Sequence, residues 1–338
     1  MKHVHIWQSA VLASLADVTP TVREFLLRPA DGHVPRWDGG AHLQVHVTVG
    51  GVQQIRHYSL VGQPDGEHYR IAVKRMDGGR GGSKAMWALA LNDSISISGP
   101  HNHFSLELGA SSYLLVAGGI GITPLVTMAQ MLIAKKADVR MLYGARTHEE
   151  LAFLAPLQKL LGNRLRTFVA EENQYMDFAA EIAALPLGAQ LYTCGPVPML
   201  EAIRAAWKTA GRRLAHLRFE TFGSSGSFPA EAFRVVMPRH GLDFMVPVEQ
   251  TLLEALSDKG VQTIFDCKRG ECGLCAMDVL EIDGELDHRD VFLSPIEKAA
   301  CNRLCPCVSR VVGTLTLDSA WRPETTFSSP TTGTVDRK

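Results

Sequence analysis

Apolar and polar positions follow three regimes along the 338-residue chain. Over residues 1–108 short apolar runs alternate with polar positions and are broken by Gly39-Gly40, Gly50-Gly51 and Gly62-Gln63-Pro64. That rhythm predicts half-buried strands of a small antiparallel barrel. Between residues 108 and 134 no charged residue occurs, a length that would cross a bilayer. Ser111, Ser112, Gly118, Gly119, Gly121, Thr123, Pro124 and Gln130 interrupt it, so the run predicts a buried strand at 113–117, a tight turn over 118–124 and a helix over 125–134. Strands expected at 139–143 and 191–194 extend this to a parallel α/β domain over 109–222. Gly223-Ser-Ser-Gly-Ser-Phe-Pro229 reads as part of a linker over 223–231. A third domain is expected over 232–320 with a strand at 311–317, then a loose Thr-, Ser- and Pro-rich tail over 321–338.

Composition narrows the function classes. Apolar residues at 46% and charged residues at 20% supply large cores and leave little room for bulk disorder. Thirty-four Lys plus Arg against 35 Asp plus Glu give a net charge of -1, so no global field draws nucleic acid or an anionic membrane. The amino end, MKHVHIWQSA, has no long apolar run and no A-x-A pattern, and a cytoplasmic monomer is the expectation.

Cysteines change the picture most. Of seven, six lie at 267, 272, 275, 301, 305 and 307, which in a reducing compartment points to metal or redox chemistry rather than disulfides. Cys267, Cys272 and Cys275 form C-x4-C-x2-C, the plant-type [2Fe–2S] spacing, whereas a structural zinc site usually pairs C-x2-C knuckles. Gly270 and Gly273 place small residues where backbone must wrap a cluster and offer N–H groups to its sulfurs. Spacing leaves the fourth ligand open among Cys301, Cys305 and Cys307. Context favours Cys307, which sits directly before the strand at 311–317.

Gly119, Gly121, Thr123 and Pro124 lie between a strand and a helix, where glycines admit a pyrophosphate and the helix start presents free N–H groups. Pro124 replaces the third glycine of the usual fingerprint. Arg146 after the second strand suits a 2′-phosphate, while Glu171 and Glu172 can supply a ribose carboxylate, so NADH and NADPH both stay open. Cys194, Gly195 and Pro196 close another strand with small groups that leave room for a flat ring. In the first third, Arg56-His57-Tyr58-Ser59 puts a cation, an aromatic and a hydroxyl on one strand, alternation aiming Arg56 and Tyr58 away from His57 and Ser59. Gly78-Gly-Arg80-Gly81-Gly82-Ser83 can form an anion nest.

Taken in order, the R-x-Y-S barrel, the GGxGxTP and CGP nucleotide half and the C-x4-C-x2-C module resemble the phthalate dioxygenase reductase and vanillate demethylase reductase family over about residues 5–320. The resemblance implies an antiparallel flavin barrel, a parallel nucleotide-binding sheet and a β-grasp-like α+β ferredoxin domain. It implies FMN on Arg56, Tyr58 and Ser59 with its phosphate near Gly81, Gly82 and Ser83. NADH would lie over Gly119, Gly121, Thr123 and Pro124, with nicotinamide near Cys194, Gly195 and Pro196. Phe222, in Glu220-Thr-Phe222-Gly, takes the place of the aromatic that shields the flavin, making Ser59, Cys194 and Phe222 the catalytic set. Asp287-His288-Arg289-Asp290 and Cys307-Val-Ser-Arg310 match family motifs, and the second supports Cys307.

The segment between Cys275 and Asp287 is about two residues longer than is usual in the family, and Asp266 stands where a serine is common. Asp278, Glu281, Asp283, Glu285, Asp287 and Asp290 read as a solvated acidic hairpin, with a docking face as the alternative. The function implied is electron transfer from NADH through FMN and a [2Fe–2S] cluster to a Rieske-type non-haem iron oxygenase. FAD in place of FMN, a haem monooxygenase partner, and a zinc-binding or redox-sensing protein are the alternatives.

Overall fold

The computed structural model describes residues 6–77, 80–222 and 228–318. Residues 223–227 of the expected linker and the whole expected tail lie outside them. The chain divides into two compact units, Met1–Ser224 and Ser225–Lys338.

The first unit opens with β1 (Trp7–Thr19), β2 (Val22–Pro29), β3 (Ala41–Val49), β4 (Val52–Ser59), β5 (Tyr69–Lys74), a short helix α1 (Gly82–Trp87) and β6 (Ser94–Asn102). Its strands run β4-β3-β6-β1-β2-β5, every pairing antiparallel, and a bridge from Leu60 to Ile71 joins the two edges into a barrel. Alternation works as expected: Leu43, Val45 and Val47 enter the core with Phe25, Leu27 and Ile71.

The same unit continues with β7 (Tyr113–Gly118), α2 (Ile122–Ala134), β8 (Val139–Ala145), α3 (Leu154–Leu161), β9 (Leu165–Val169), α4 (Phe178–Ala183), β10 (Gln190–Cys194), α5 (Val197–Thr209) and β11 (Leu217–Glu220). These strands form a parallel sheet in the order β11-β10-β7-β8-β9. β7 is buried on both faces, which is why its sequence is an unbroken apolar run. Tyr113, Leu115 and Ala117 pack with α2 and α3, while Leu114 and Val116 pack with α4 and α5. Helix α2 starts at Ile122, three residues earlier than expected, because Pro124 falls in the first turn, where its missing N–H has no intrahelical partner to lose.

The second unit holds β12 (Phe233–Met237), β13 (Leu242–Val246), α6 (Leu252–Asp258), β14 (Met277–Asp287), α7 (Pro295–Ala300), β15 (Arg303–Leu304) and β16 (Arg310–Asp318), in the sheet order β13-β12-β16-β14-β15. β12 and β16 are parallel and the other pairs antiparallel. Thr251 with Glu254, and Ser294 with Glu297, form capping boxes that start α6 and α7. The acidic hairpin expected over 278–290 is instead one strand, β14, paired with β16 through Asp287. Asp278, Glu281, Asp283 and Glu285 are exposed, as expected of a solvated face, whereas Asp287 is 2% exposed and Asp290 0%. No helix among the described residues is long and apolar enough to cross a membrane.

Candidate active site

On β4 the register pairs Arg56 with Val45 and Tyr58 with Leu43, so both face the barrel interior, and Tyr58 packs against its core. Burial pushes the Tyr58 phenol pKa up, opposed by the Arg56 charge, so the hydroxyl stays protonated at neutral pH. The Arg56 guanidinium donates to the Ile55 carbonyl at 2.9 Å and to Gln54 Oε1. It crosses Gly82, where a Cβ would lie 2.3 Å from Arg56 Nε. Gly81 adopts φ +78, a region that disfavours side chains, and a Cβ there would meet Val49 Cγ1 at 2.7 Å. Ser83 Oγ accepts from the Met76 N–H at 3.0 Å and closes this loop, of which Gly78 and Gly79 lie outside the described residues.

Ser59 shares a face with His42 and is 4% exposed. Its hydroxyl has no hydrogen-bond partner among the described residues. A buried, unsatisfied hydroxyl on the strand whose Arg56 crosses a glycine turn that admits no Cβ fits a polar ligand such as a flavin. His57 lies on the same face as Ser59 and stacks on buried His42 at 5.1 Å, with His101 and His103 also against His42. Four histidines scattered between residues 42 and 103 gave no sequence signal of this stack.

At the carboxyl ends of the parallel strands, the two glycine turns interlock. A Cβ on Gly121 would lie 2.1 Å from the Cys194 carbonyl oxygen, one on Gly118 2.6 Å from Pro196 Cδ, and one on Gly195 3.0 Å from Gly118 Cα. Gly119, at φ +53, meets nothing within 4 Å. Gly121, Thr123 and Pro124 are buried behind it, and Thr123 spends its hydroxyl on the Ile120 carbonyl at 3.0 Å. These three shape the turn, and Gly119 is the one left open at its mouth. Cys194 is 1% exposed and sits between Ala117 and Glu220 in the sheet register. Glu220, 2% exposed, was missed in the sequence although it lies two residues before Phe222, which is 42% exposed.

Arg146 meets Glu150 at 3.4 Å, and Glu150 accepts from Lys74 of β5 at 2.8 Å. On the adjoining loop after β9, Glu172 Oε1 lies 2.6 Å from His148 Nε2 and Glu171 Oε1 accepts from the His148 N–H at 3.1 Å. Burial works to raise the Glu150 pKa, but Lys74 and Arg146 outweigh it and hold the carboxyl below its ordinary 4.5. A depressed folded-state value stabilises above the unfolded one and is lost as pH falls through the folded one. Glu150→Gln is therefore expected to flatten the acid limb of a plot of unfolding midpoint against pH below about 5. An unchanged limb in that plot would count against this role.

In the second unit, positive φ at Lys268, Gly270 and Gly273 curls the loop around its cysteines. Cys267 Sγ accepts from the N–H groups of Arg269 and Cys272, each at 3.4 Å, and Cys275 and Cys307 place their sulfurs 3.4 Å apart. Cys305 is fully buried in the same cluster. Hydrogen bonding with Cys305 and Cys307 pulls the Cys275 pKa below the ordinary thiol value. An all-sulfur donor set with backbone N–H groups aimed at it fits an iron–sulfur cluster. A Cβ on Gly270 would meet Asp290 Cα at 2.8 Å, and one on Gly273 the Phe292 ring at 2.3 Å.

The D-H-R-D motif serves this loop. Arg289 grips Asp287 at 2.7 Å and donates to the Phe228 carbonyl, Asp290 accepts from the Leu293 N–H at 2.8 Å, and Arg310 ties the carbonyls of Glu231, Pro247 and Gln250. Arg289→Met takes the guanidinium ion pair from buried Asp287, which is expected to cost about 3–5 kcal/mol in denaturant unfolding of this unit. A loss below about 1 kcal/mol would show that Asp287 is solvated or finds another donor.

Residues 9–106 match the family described as oxidoreductase FAD-binding domain, residues 96–216 the dimethylamine monooxygenase subunit DmmA-like N-terminal domain, and residues 237–312 the 2Fe-2S iron-sulfur cluster binding domain. The chain is 37% identical to a vanillate O-demethylase oxidoreductase of Pseudomonas sp. strain HR199, over 84% of this chain and 90% of that one. The chain belongs to the phthalate dioxygenase reductase and vanillate demethylase reductase family. The solved phthalate dioxygenase reductase superposes with a TM-score of 0.76 at 31% identity, covering 93% of this chain and 98% of that one. A heme-dependent oxidative N-demethylase beta subunit of Ectopseudomonas mendocina is 34% identical over 89% of this chain and 95% of its own. As a member of the family, the protein is an oxidoreductase with flavin-binding, nucleotide-binding and 2Fe-2S modules, the reductase component of a multicomponent oxygenase or demethylase system.

Proposed function

We propose that this reductase draws electrons from NADH, passes them through FMN to a [2Fe–2S] cluster, and delivers them singly to a Rieske-type non-haem iron oxygenase that hydroxylates a ring or removes a methyl group. The flavin would take the two electrons of a hydride and release them one at a time to the cluster. The observation that carries the reading is the unsatisfied Ser59 hydroxyl, on the strand whose Arg56 lies over Gly82. Arg56, Gly81, Gly82 and Ser83 hold the phosphate, Tyr58 offers its ring to the flavin, and Ser59 donates to a ring heteroatom. Cys194, Gly195, Pro196 and Phe222 border the nicotinamide, and Gly119, Gly121, Thr123 and Pro124 form the turn under the pyrophosphate. Cys267, Cys272, Cys275 and Cys307 ligate the cluster.

The pairing of Arg146 with Glu150, with Glu171 and Glu172 on the adjoining loop, supports NADH over NADPH. Four nearby carboxylates, counting Glu149, oppose a 2′-phosphate. The protein works as a cytoplasmic monomer.

Anaerobic NADH titration, followed by visible absorbance and low-temperature electron paramagnetic resonance, tests the chain of carriers. Bleaching of a flavin band together with the rhombic signal of a reduced [2Fe–2S] cluster is expected. A colourless protein, or a cluster that stays oxidised under excess NADH, would overturn it. Thin-layer chromatography of the released flavin separates FMN from FAD. A haem partner is the second reading, favoured by the relative named as a heme-dependent N-demethylase subunit. NADH-coupled turnover with each purified type of oxygenase distinguishes the two.

A further inference from the structure

We propose that Thr127 is a positioning residue whose hydroxyl sets the distance between the flavin strand and the nicotinamide cradle; the inference rests on the roles given above to Ser59 and Cys194. Threonine inside a helix usually turns its hydroxyl back onto its own helix, at the carbonyl three or four residues earlier. Thr123 does this near the start of α2, bonding Ile120. Thr127, one turn later and 1% exposed, does not. Its Oγ1 reaches out of the helix to the barrel and donates to the Leu60 and Gly62 carbonyls, at 3.1 and 3.2 Å. One hydroxyl hydrogen is shared between two acceptors that lie one and three residues beyond Ser59.

The start of the same helix is anchored on Cys194. Gly121 precedes Ile122 and sits so close to the Cys194 carbonyl oxygen that a Cβ would approach to 2.1 Å. Six residues separate Gly121 from Thr127, about 9 Å of helical rise in a rod that does not stretch. Helix α2 therefore acts as a strut with Cys194 at one end and the chain just past Ser59 at the other. Its neighbours on this face pack against the barrel too: a Cβ on Gly39 would lie 2.8 Å from Met128 Cγ, and the Gly39 N–H meets Met131 Sδ at 3.1 Å. Those contacts are apolar or weak, and sliding changes them gradually. The Thr127 bond is directional and buried, and slippage leaves two carbonyls unsatisfied. Hydride transfer needs reacting atoms about 3–3.5 Å apart, and a 1 Å error costs on the order of 100-fold in rate.

The test is stopped-flow reduction of the flavin by NADH in the full-length holoprotein. Thr127→Val keeps the shape of the side chain and removes the hydroxyl. The reduction rate at saturating NADH is expected to fall about 10- to 100-fold, with the half-saturating NADH concentration changed less than about threefold. The primary deuterium isotope effect with 4-deuterated NADH is expected to rise, while flavin content and reduction by dithionite stay as in the wild type. Thr127→Ser keeps the hydroxyl and restores the rate. A wild-type rate in T127V, or a T127S variant as slow as T127V, overturns the proposal. If valine prevents folding, T127S is compared with T127A, and equal reduction rates overturn it. A wild-type holoprotein whose flavin NADH does not reduce overturns the functional reading itself, whereas a normal wild type with an unaffected T127V overturns only the positioning role.

Discussion

Replacing Cys307 with alanine is expected to abolish the rhombic signal of the reduced cluster and to cut oxygenase-coupled turnover more than about 100-fold, since a two-iron cluster needs four thiolates. Reduction of the flavin by NADH is expected to continue, because the residues proposed for it lie in the first unit. Cys305→Ala provides the contrast. Cys305 is also buried and also hydrogen-bonds Cys275, but the sulfur–sulfur contact of 3.4 Å joins Cys275 to Cys307. Alanine at 305 is expected to keep the cluster, at the modest stability cost of a small buried side chain. Iron and sulfide content with the resonance signal read the result. A cluster lost in Cys305→Ala and retained in Cys307→Ala would reassign the fourth ligand.

Gly121→Ala is expected to produce the second largest effect. Gly121 has an ordinary φ of -61, so alanine there meets no backbone strain; the difficulty is purely steric. The added methyl would stand 2.1 Å from the Cys194 carbonyl oxygen and 2.9 Å from the Gly195 nitrogen, both backbone atoms that move only with their strand. Either the glycine turn or the end of β10 must shift by about 1 Å, at a stability cost of about 1–3 kcal/mol. A displacement of that size at the nicotinamide border is expected to lower kcat/KM for NADH about 100-fold, while dithionite still reduces both centres. Unaltered NADH kinetics in this variant would show that the two turns do not shape the nucleotide site.

The architecture was legible because it follows from periodicities short enough to read in a window. Alternation in β3 and the unbroken apolar run of β7 separate an antiparallel barrel from a sheet buried on both faces. The cysteine spacing was legible for a similar reason, since a cluster loop places three thiolates within nine residues. Residues brought together from distant parts of the chain were not. His57 stacks on His42 while His101 and His103 lean on it from elsewhere in the chain, and Glu220 neighbours Cys194 on an adjacent parallel strand. The acidic run over 278–290 is solvated at its first four acids and misled only at its end, because charge along a strand looks the same whether it ends in solvent or beneath a buried arginine.

By itself the sequence determined the order of the three modules, the glycine turns and the C-x4-C-x2-C loop, because each depends on residue types at fixed short spacings. Tertiary structure decided what depends on long-range approach: Cys307 against Cys275, Arg146 bound to Glu150, Asp287 buried under Arg289, and the Thr127 hydroxyl on the barrel. In each case only the packing of separate elements brings the partners within hydrogen-bond reach.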